Sequence, residues 1–262
     1  MSLCIQVQNN EGDVLASAAG VSEAVLVYEP EYSEGDCILV ESENPGVHLI
    51  LQLDDTLPPV LAYLREKVFR YRIPFGENRI SYSPRAFLGK SHLLSVRLAG
   101  KDEILCRRNL ALNPLDSHEN SSLFPHASAN VETRGEAVFA ARNAIDGLKA
   151  SHFHGEWPYT SWGINRDPTA ELKLEFGRTV QIDRAVFYLR ADFPHDAWWE
   201  STVLHFSDGS SVTAKLEKTD AAQPISFEPK QVEWAVLDSL IKADDPSPFP
   251  ALTQLEFYGR DI

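Results

Sequence analysis

The sequence lacks any long apolar run and has few basic residues for its length. No run approaches the ~20 apolar residues that a membrane-spanning helix needs, which excludes an integral helical membrane protein. Lys and Arg number 24 against 38 Asp and Glu, so the formal net charge is −14. Because nucleic acids and anionic membranes repel such a chain, neither is expected as its main partner.

Familiar catalytic and redox motifs are also missing. The chain has no GxSxG elbow, P-loop, HExxH or GxGxxG pattern, so the enzyme classes that use them gain no support. Its three cysteines, Cys4, Cys37 and Cys106, form no CxxC spacing and are predicted to be reduced thiols. Residues 1–8 lack the basic region and apolar core of a signal peptide, which predicts a cytoplasmic protein unless a leader was removed.

The composition that is present is that of a globular protein with two unlike halves. The 262 residues are 44% hydrophobic and 24% charged, and this length favours one or two domains. All three cysteines precede residue 110, and all five tryptophans follow residue 150. A polar, turn-forming stretch separates the halves. We therefore predict a first domain over residues 1–115, a linker over 116–124 and a second domain over 125–262.

Both halves consist of short runs typical of strands. The runs are β-branched or aromatic, they alternate as in residues 47–53 and 171–176, and Gly, Pro, Asp or Asn bounds them. Residues 202–206 and 211–216 flank a Ser-Asp-Gly-Ser turn and predict a hairpin. Residues 134–145 have near-helical spacing and predict a short helix or helical turn, whereas residues 60–67 fit one helical turn or a strand. The predicted fold class is all-β, with two tandem antiparallel β-sandwich domains.

Six short segments of the second half occur in the order typical of one family. They are Ala-Ser-Ala at 127–129, Ala-Ile-Asp-Gly at 144–147, Trp162 followed by the strand 170–177, the strand 180–186, the hairpin 203–210 and the closing strand 255–259. In this order they resemble the discoidin, or coagulation-factor type C, family, which includes galactose-binding-like carbohydrate-binding modules. The resemblance covers somewhat over half the chain, and it leaves residues 1–115 unmatched. The cysteine pair that joins the ends of extracellular members is absent.

The resemblance implies a jelly-roll β-sandwich whose ligands bind on loops at one end. It also implies a structural calcium ion, with carboxylates from Asp146 and Glu256 and carbonyls between Asn143 and Ser151, since calcium prefers such oxygen ligands. The alternative is that Asp146 only forms its turn and that Glu256 faces solvent on its strand. Both interpretations stay open at the level of sequence.

The segment 190–200 is the strongest candidate for a ligand-binding loop. Sugar recognition needs an aromatic ring under the sugar C–H groups, which Trp198 or Trp199 could supply. It also needs polar side chains for the hydroxyls, and the segment offers four: Arg190, Asp192, His195 and Asp196. The alternative is that one tryptophan fills the end of the core.

A second aromatic segment, residues 152–162, is expected near the same end. His154 and Trp157 could complete the binding face, whereas Trp162 matches a core tryptophan of the family. The pair His152 and His154 alone is a weak signal for a transition metal, because no further ligands match.

These observations predict a non-catalytic carbohydrate-binding protein. One alternative is a cytoplasmic interaction or scaffold protein, in which an exposed tryptophan would anchor a partner or a homodimer. A second alternative is a sugar-processing enzyme with its site at the domain junction. An aromatic ring beside a concave polar pocket favours the sugar, a broad apolar patch favours a protein partner, and two facing carboxylates favour catalysis.

Overall fold

The computed structural model describes residues 1–190 and 195–262, and it is almost entirely β. The strands of the first half are β1 Ser2–Gln8, β2 Val14–Val21, β3 Glu23–Tyr28, β4 Cys37–Ser42, β5 Val47–Gln52, β6 Val60–Leu64, β7 Val68–Arg72 and β8 His92–Leu98. A 3₁₀ turn, Gly76–Ser81, and the short helix α1, Lys101–Leu105, complete this half. The ambiguous stretch after Pro59 is thus a strand.

The remaining strands follow α1 and include the longest of the chain. They are β9 Arg108–Asn109, β10 Leu123–Phe124, β11 His126–Ala129, β12 Trp162–Gly163, β13 Leu172–Leu189, β14 Trp199–Phe206, β15 Ser211–Lys215, β16 Gln223–Lys242 and β17 Ala251–Asp261. Strands β14 and β15 form the predicted hairpin. None of the described helices is both long and apolar enough to cross a membrane.

The first half is a sandwich of two antiparallel sheets. Their strand orders are β2-β1-β4-β7 and β10-β6-β5-β8-β3. Side chains alternate along each strand, as in β3, where every second residue is buried. The inward side chains of both sheets form one core, which includes Ile5, Val40, Leu49 and Leu94.

The second half forms a larger antiparallel arrangement in the order β12-β17-β13-β16-β14-β15, with β11 added to β13. The register of β13 against β16 shifts between Glu175 and Val180, and such irregularities let one long strand bend. The enclosed core is aromatic and includes Trp162, Phe187 and Phe257. The prediction of an all-β protein with antiparallel β-sandwiches is confirmed.

The predicted linker, residues 116–124, is packed against its neighbours and contributes a strand. The Asp116 side chain is fully buried. Its carboxylate accepts hydrogen bonds from the Ala127 N–H (2.8 Å), the Asn120 side chain (2.8 Å) and His126 Nδ1 (2.8 Å). Strand β10 then pairs with β6 of the first half, and β9 pairs with β17 of the second. Strand pairing therefore crosses the predicted boundary in both directions.

The junction between the halves also contains a buried ion cluster around Asp261. This carboxylate, 6% exposed, accepts from His48 Nε2 at 3.0 Å, from Arg108 Nη2 at 2.5 Å and from Arg178 Nε. Burial alone would raise its pKa, but these hydrogen bonds and the two guanidinium charges hold the pKa well below its usual range. His48 and Arg108 lie within residues 1–115, whereas Arg178 and Asp261 lie within residues 125–262, so the cluster joins the two halves.

Residues 134–145 do not form one helix. They lie in three separate 3₁₀ segments, Thr133–Gly135, Ala137–Phe139 and Ala141–Ile145. Glu136 and Ala140, between the segments, have extended backbone angles that interrupt the helical ladder. Packing of Val138, Phe139 and Ile145 into separate places fixes these turns, so apolar spacing here reflects burial rather than a continuous helix.

Candidate functional site

A small pocket lies where loops of the second half converge. Its volume is about 110 Å³. The lining comes from the loop after β11, the loops on either side of β12, residue 195 and the segment leading into β17. The side chains concerned are Thr133, Arg134, Phe139, His154, Ile164, Asn165, Arg166, His195, Phe249 and Pro250.

Four rings form one wall of this pocket. The His195 ring lies 5.1 Å from His154, 5.7 Å from Phe139 and 5.8 Å from Phe249, measured between centroids. His195 is 8% exposed, and its Nδ1 lies 3.2 Å from the carbonyl oxygen of Phe249. That contact fixes the orientation of the imidazole against the wall. The wall therefore combines apolar ring faces with two polar imidazoles.

Two arginines stand at the mouth of the pocket, each over an aromatic ring. The Arg166 guanidinium carbon lies 4.4 Å from the Phe249 centroid, and that of Arg134 lies 5.9 Å from Phe139. Arg134 also makes a two-pronged ion pair with Glu136, at 2.6 and 2.8 Å. This pair lowers the pKa of the Glu136 carboxyl. Arg166 is exposed and has no ion pair with any described carboxylate, so its donors face solvent at the mouth.

Strained backbone marks the same pocket. Arg134, Asn165 and Arg166 adopt the left-handed conformation, with φ of 54°, 50° and 61°. Residues other than glycine rarely do so, and such outliers concentrate at ligand-binding sites. The Asn165 N–H donates to Thr133 Oγ1 at 3.0 Å, which ties the two strained turns together.

Gly163 allows that close approach of the two turns. A Cβ atom at this position would lie 2.6 Å from Thr133 Oγ1 and 3.3 Å from Phe139 Cβ. A larger residue would push apart the loops that carry both arginines. The absence of a side chain at Gly163 therefore allows the two turns at the mouth of the pocket to lie close together.

Several of the predicted ligand-binding residues lie in the core instead. Trp199 is 1% exposed, and its ring packs 6.5 Å from that of Trp162. Arg190 is also 1% exposed, with its Nη1 3.4 Å from Ser161 Oγ. Trp198 is half-buried against the core, with Lys218 Nζ 5.5 Å from its ring. Trp199 thus lies in the sandwich core, which agrees with the alternative that one tryptophan fills the end of the core.

The remaining predicted residues divide between the pocket and its surroundings. His154 and His195 line the pocket, and Trp157 lies outside the lining and packs against the cluster of Val138, Phe139 and Tyr159. Asp196 accepts from Ser247 Oγ at 2.5 Å, away from the pocket lining. Asp192 lies outside the described residues.

Sequence reasoning missed most of the lining, above all Arg134, Asn165, Arg166 and Phe249. The available signal was two turn residues, Gly135 directly after Arg134 and Pro168 two positions after Arg166. They marked loops, but they did not show that these loops meet.

The turn that contains Asp146 lies against β17, the strand that carries Glu256. The Gly147 N–H donates to Gln254 on β17 at 3.1 Å, and Lys149 Nζ lies 2.5 Å from Glu256 Oε1. One carboxylate oxygen of Asp146 and one of Glu256 are buried without a hydrogen-bond partner. Burial raises the pKa of Asp146 to about 7, while the charge of Arg142, the Leu148 N–H and the nearby Thr160 hydroxyl act to lower it.

An oxygen without a hydrogen-bond partner is chemically suited to a hard cation, which would supply that partner. Lys149 already neutralises the other Glu256 oxygen, so a cation would share that carboxylate with it. No group of three His, Cys, Asp or Glu side chains suited to a metal occurs within residues 1–190 and 195–262. Backbone carbonyls would therefore have to complete the coordination.

Comparisons with known proteins give structural likenesses alone. No protein-family model and no curated protein matches the chain. A chitosan-binding module of a chitosanase/glucanase from Paenibacillus sp. IK-5 is 19% identical. It matches over 58% of this chain and 99% of the module, with a TM-score of 0.41.

Two further similar structures were solved with sugars bound. A family 32 carbohydrate-binding module of C. perfringens NanJ, in complex with galactose, is 18% identical over 50% of this chain and 91% of its own, with a TM-score of 0.40. The lectin domain of lectinolysin, complexed with Lewis B antigen, is 17% identical over 59% and 98%, with a TM-score of 0.42. TM-scores this low assign no ligand to this chain.

Proposed function

We propose that this protein binds a carbohydrate in the pocket formed by Phe139, His154, His195 and Phe249, and does not cleave it. The observation that carries the proposal is the combination of a ring wall with unpaired donors at the mouth. A sugar has C–H faces that pack on aromatic rings and hydroxyls that need hydrogen bonds at fixed positions. Arg166 supplies such donors beside the Phe249 ring.

The size of the pocket suggests how the sugar is held. A volume of about 110 Å³ is well below the roughly 300–1,000 Å³ of ordinary small-molecule pockets. One edge of a single sugar residue would therefore enter, while the rest of the glycan stays in solvent. This geometry suits recognition of a terminal residue rather than enclosure of a whole oligosaccharide.

The distribution of carboxylates supports binding over cleavage. Glycosidases place two carboxyl groups across the scissile bond. Among the described residues, the lining of this pocket contains no Asp or Glu. A second pocket at the junction of the halves is lined by one carboxylate, Glu119, which is 74% exposed. Neither place offers the facing pair that a sugar-processing enzyme would need.

One observation favours the interaction-protein alternative, and it concerns the first half. Val25 and Val27 on β3 are 51% and 60% exposed, and Leu93, paired with Val27, is 41% exposed. Exposed apolar rows of this kind can bind another protein. The row is separate from the pocket, so the two functions are tested separately.

The test is intrinsic tryptophan fluorescence during titration with mono- and oligosaccharides. All five tryptophans lie in the second half, and Trp157 packs against the cluster of Val138, Phe139 and Tyr159, which includes a ring of the pocket wall. We expect a saturable change with a subset of the sugars. A flat response across the panel, with calorimetry also silent, would contradict the proposal and favour the interaction protein.

We also propose that Asp146 and Glu256 hold a calcium ion. When bound, the ion would fix the Asp146–Lys149 turn against β17. At one hundred times its dissociation constant, calcium would add about 2.7 kcal/mol to the free energy of unfolding. The expected result is a rise of several degrees in the Tm in millimolar calcium, reversed by a chelator.

Glu256→Gln should remove this calcium response, because an amide is a weaker ligand than a carboxylate. Glu228→Gln, an exposed residue of β16, is the matched control and should keep it. An unchanged Tm of the wild-type protein in calcium would rule out the ion at this place.

A further inference from the structure

A second pocket lies between the two halves of the molecule and is distinct from the proposed sugar site. Its volume is about 220 Å³. Tyr71, Ser81 and Tyr82 line it from the first half, and Ala137 and Arg142 from the second. A ligand here would therefore contact both halves at once.

The chemistry of this pocket is set by a buried cation. Arg142 is 8% exposed, and its guanidinium carbon lies 4.5 Å from the Tyr82 ring centroid. Its nitrogens donate to the carbonyl oxygens of Asp116 (2.8 Å) and Pro114 (2.9 Å) and to Asn143 Oδ1 (3.1 Å). These three bonds leave one N–H on each terminal nitrogen without a hydrogen-bond partner.

No described carboxylate forms an ion pair with Arg142. Asp146 and Asp116 act on it electrostatically without contact, and the Asp116 carboxylate binds Asn120, His126 and Ala127. Buried charges are normally paired with an opposite charge, because desolvation of a lone ion is costly. Only neutral oxygens contact this guanidinium, and the two carboxylates compensate its positive charge at longer range.

Two hydroxyl groups in the same pocket are also poised to donate. Ser81 is 2% exposed, and its buried Oγ has no hydrogen-bond partner. The Tyr71 hydroxyl donates to the Tyr82 hydroxyl at 3.0 Å, which leaves the Tyr82 proton for another acceptor. Unsatisfied buried donors are rare in native proteins, so the Ser81 hydroxyl and the open N–H groups of Arg142 indicate a missing acceptor. Donors and a cation together select an anion.

We propose that this junction pocket binds a small organic acid through its carboxylate. The carboxylate pairs with Arg142 and accepts hydrogen bonds from the Ser81 and Tyr82 hydroxyls. The rest of the ligand packs against the apolar part of the lining, where Ala137 and the tyrosine rings lie. Because both halves supply ligand contacts, binding also stabilises their arrangement.

The test is calorimetric titration of the full chain with benzoate and with benzamide. Benzamide has the same shape but no charge, so it isolates the contribution of the carboxylate. We expect benzoate to bind at least tenfold more tightly at constant ionic strength. Equal affinity of the two compounds, or no binding of benzoate, would overturn the proposal. Inorganic phosphate binding more tightly than benzoate would show an anion site of another class and would also overturn it.

Two variants place the binding in this pocket without removing Arg142, whose bonds also support the fold. Ala137→Leu fills a half-exposed part of the lining and should weaken benzoate binding by more than tenfold. Ser81→Ala removes the orphan hydroxyl and should weaken it severalfold. Ser83→Ala, in the same loop but outside the lining, is the matched control and should bind like the wild type. Benzoate binding that survives in Ala137→Leu would place the ligand elsewhere and contradict the assignment.

Discussion

Replacing Phe249 by alanine should lower the affinity for the sugar by about thirtyfold or more. The change removes a ring of the pocket wall and the platform on which Arg166 rests, 4.4 Å above it. Loss of ring packing is worth about 0.5–1.5 kcal/mol. A weakened hydrogen bond to a charged group adds about 1.5–3 kcal/mol. Since 1.4 kcal/mol is about tenfold in affinity, even the lower sum exceeds tenfold.

This substitution isolates the ring because the neighbouring contact is made by the backbone. His195 Nδ1 contacts the carbonyl oxygen of Phe249, which alanine retains. The measurement is calorimetric titration with the sugar that gives the strongest fluorescence response. Circular dichroism checks that the fold is unchanged.

Phe227→Ala is the matched control for Phe249. Phe227 is also half-buried and also has a cation over its ring, Lys230 Nζ at 6.0 Å, but it lies on β16 outside the pocket. We expect the Phe227→Ala variant to bind the sugar with the affinity of the wild type. An equal loss of sugar affinity in both variants, or no loss in Phe249→Ala, would show that the sugar does not bind in this pocket.

Asp261→Asn should destabilise the protein by about 3–5 kcal/mol, the usual cost of breaking a buried ion pair from one side. The variant leaves the guanidinium groups of Arg108 and Arg178, 17% and 12% exposed, without their carboxylate. It also removes the partner of His48 across the junction. Urea unfolding followed by circular dichroism measures the loss.

Asp183→Asn is the control for this prediction. Asp183 pairs with Arg107 alone, and both side chains are well exposed. Surface pairs of this kind contribute roughly 0–1 kcal/mol, so the control should unfold near the wild type. A loss in Asp261→Asn no larger than in the control would show that the cluster does not hold the halves together.

The same cluster gives the stability of the protein a defined dependence on pH. The pKa of Asp261 is lower in the folded protein than its ordinary value of 3.8 in the unfolded chain. The ionised Asp261 carboxylate therefore contributes its full share to the free energy of unfolding above pH 3.8. This share is lost as the pH falls below 3.8 towards the folded-state pKa, where the folded carboxylate takes up a proton. Asp261→Asn should remove this part of the acid dependence.

Part of the fold could be predicted from sequence because alternation is a local property. Residues 47–53 show a buried face at every second position, and the structure places them in β5 with that pattern. The Ser-Asp-Gly-Ser turn likewise specifies its hairpin within ten residues. The apolar spacing of residues 134–145 was misleading, since it records burial of three separate turns.

The candidate site was less accessible to sequence reasoning. Two of its ring residues, His154 and His195, were singled out because they occur in aromatic loops. Trp199 was singled out on the same ground, yet it lies in the core. A run of aromatic and charged residues marks a sandwich-end loop, but it does not tell which side chains turn inward.

The sequence by itself determined that this protein is all-β, that its strands are antiparallel and where its principal hairpin turns. These features follow from the period of two in apolar residues and from turn chemistry, both of which act over a few neighbours. Tertiary structure alone decided which loops meet, which tryptophans are buried and that β9 and β10 interleave the halves. The pocket brings Arg134, Arg166 and Phe249 together from distant parts of the chain, and only packing of the whole sandwich fixes such contacts.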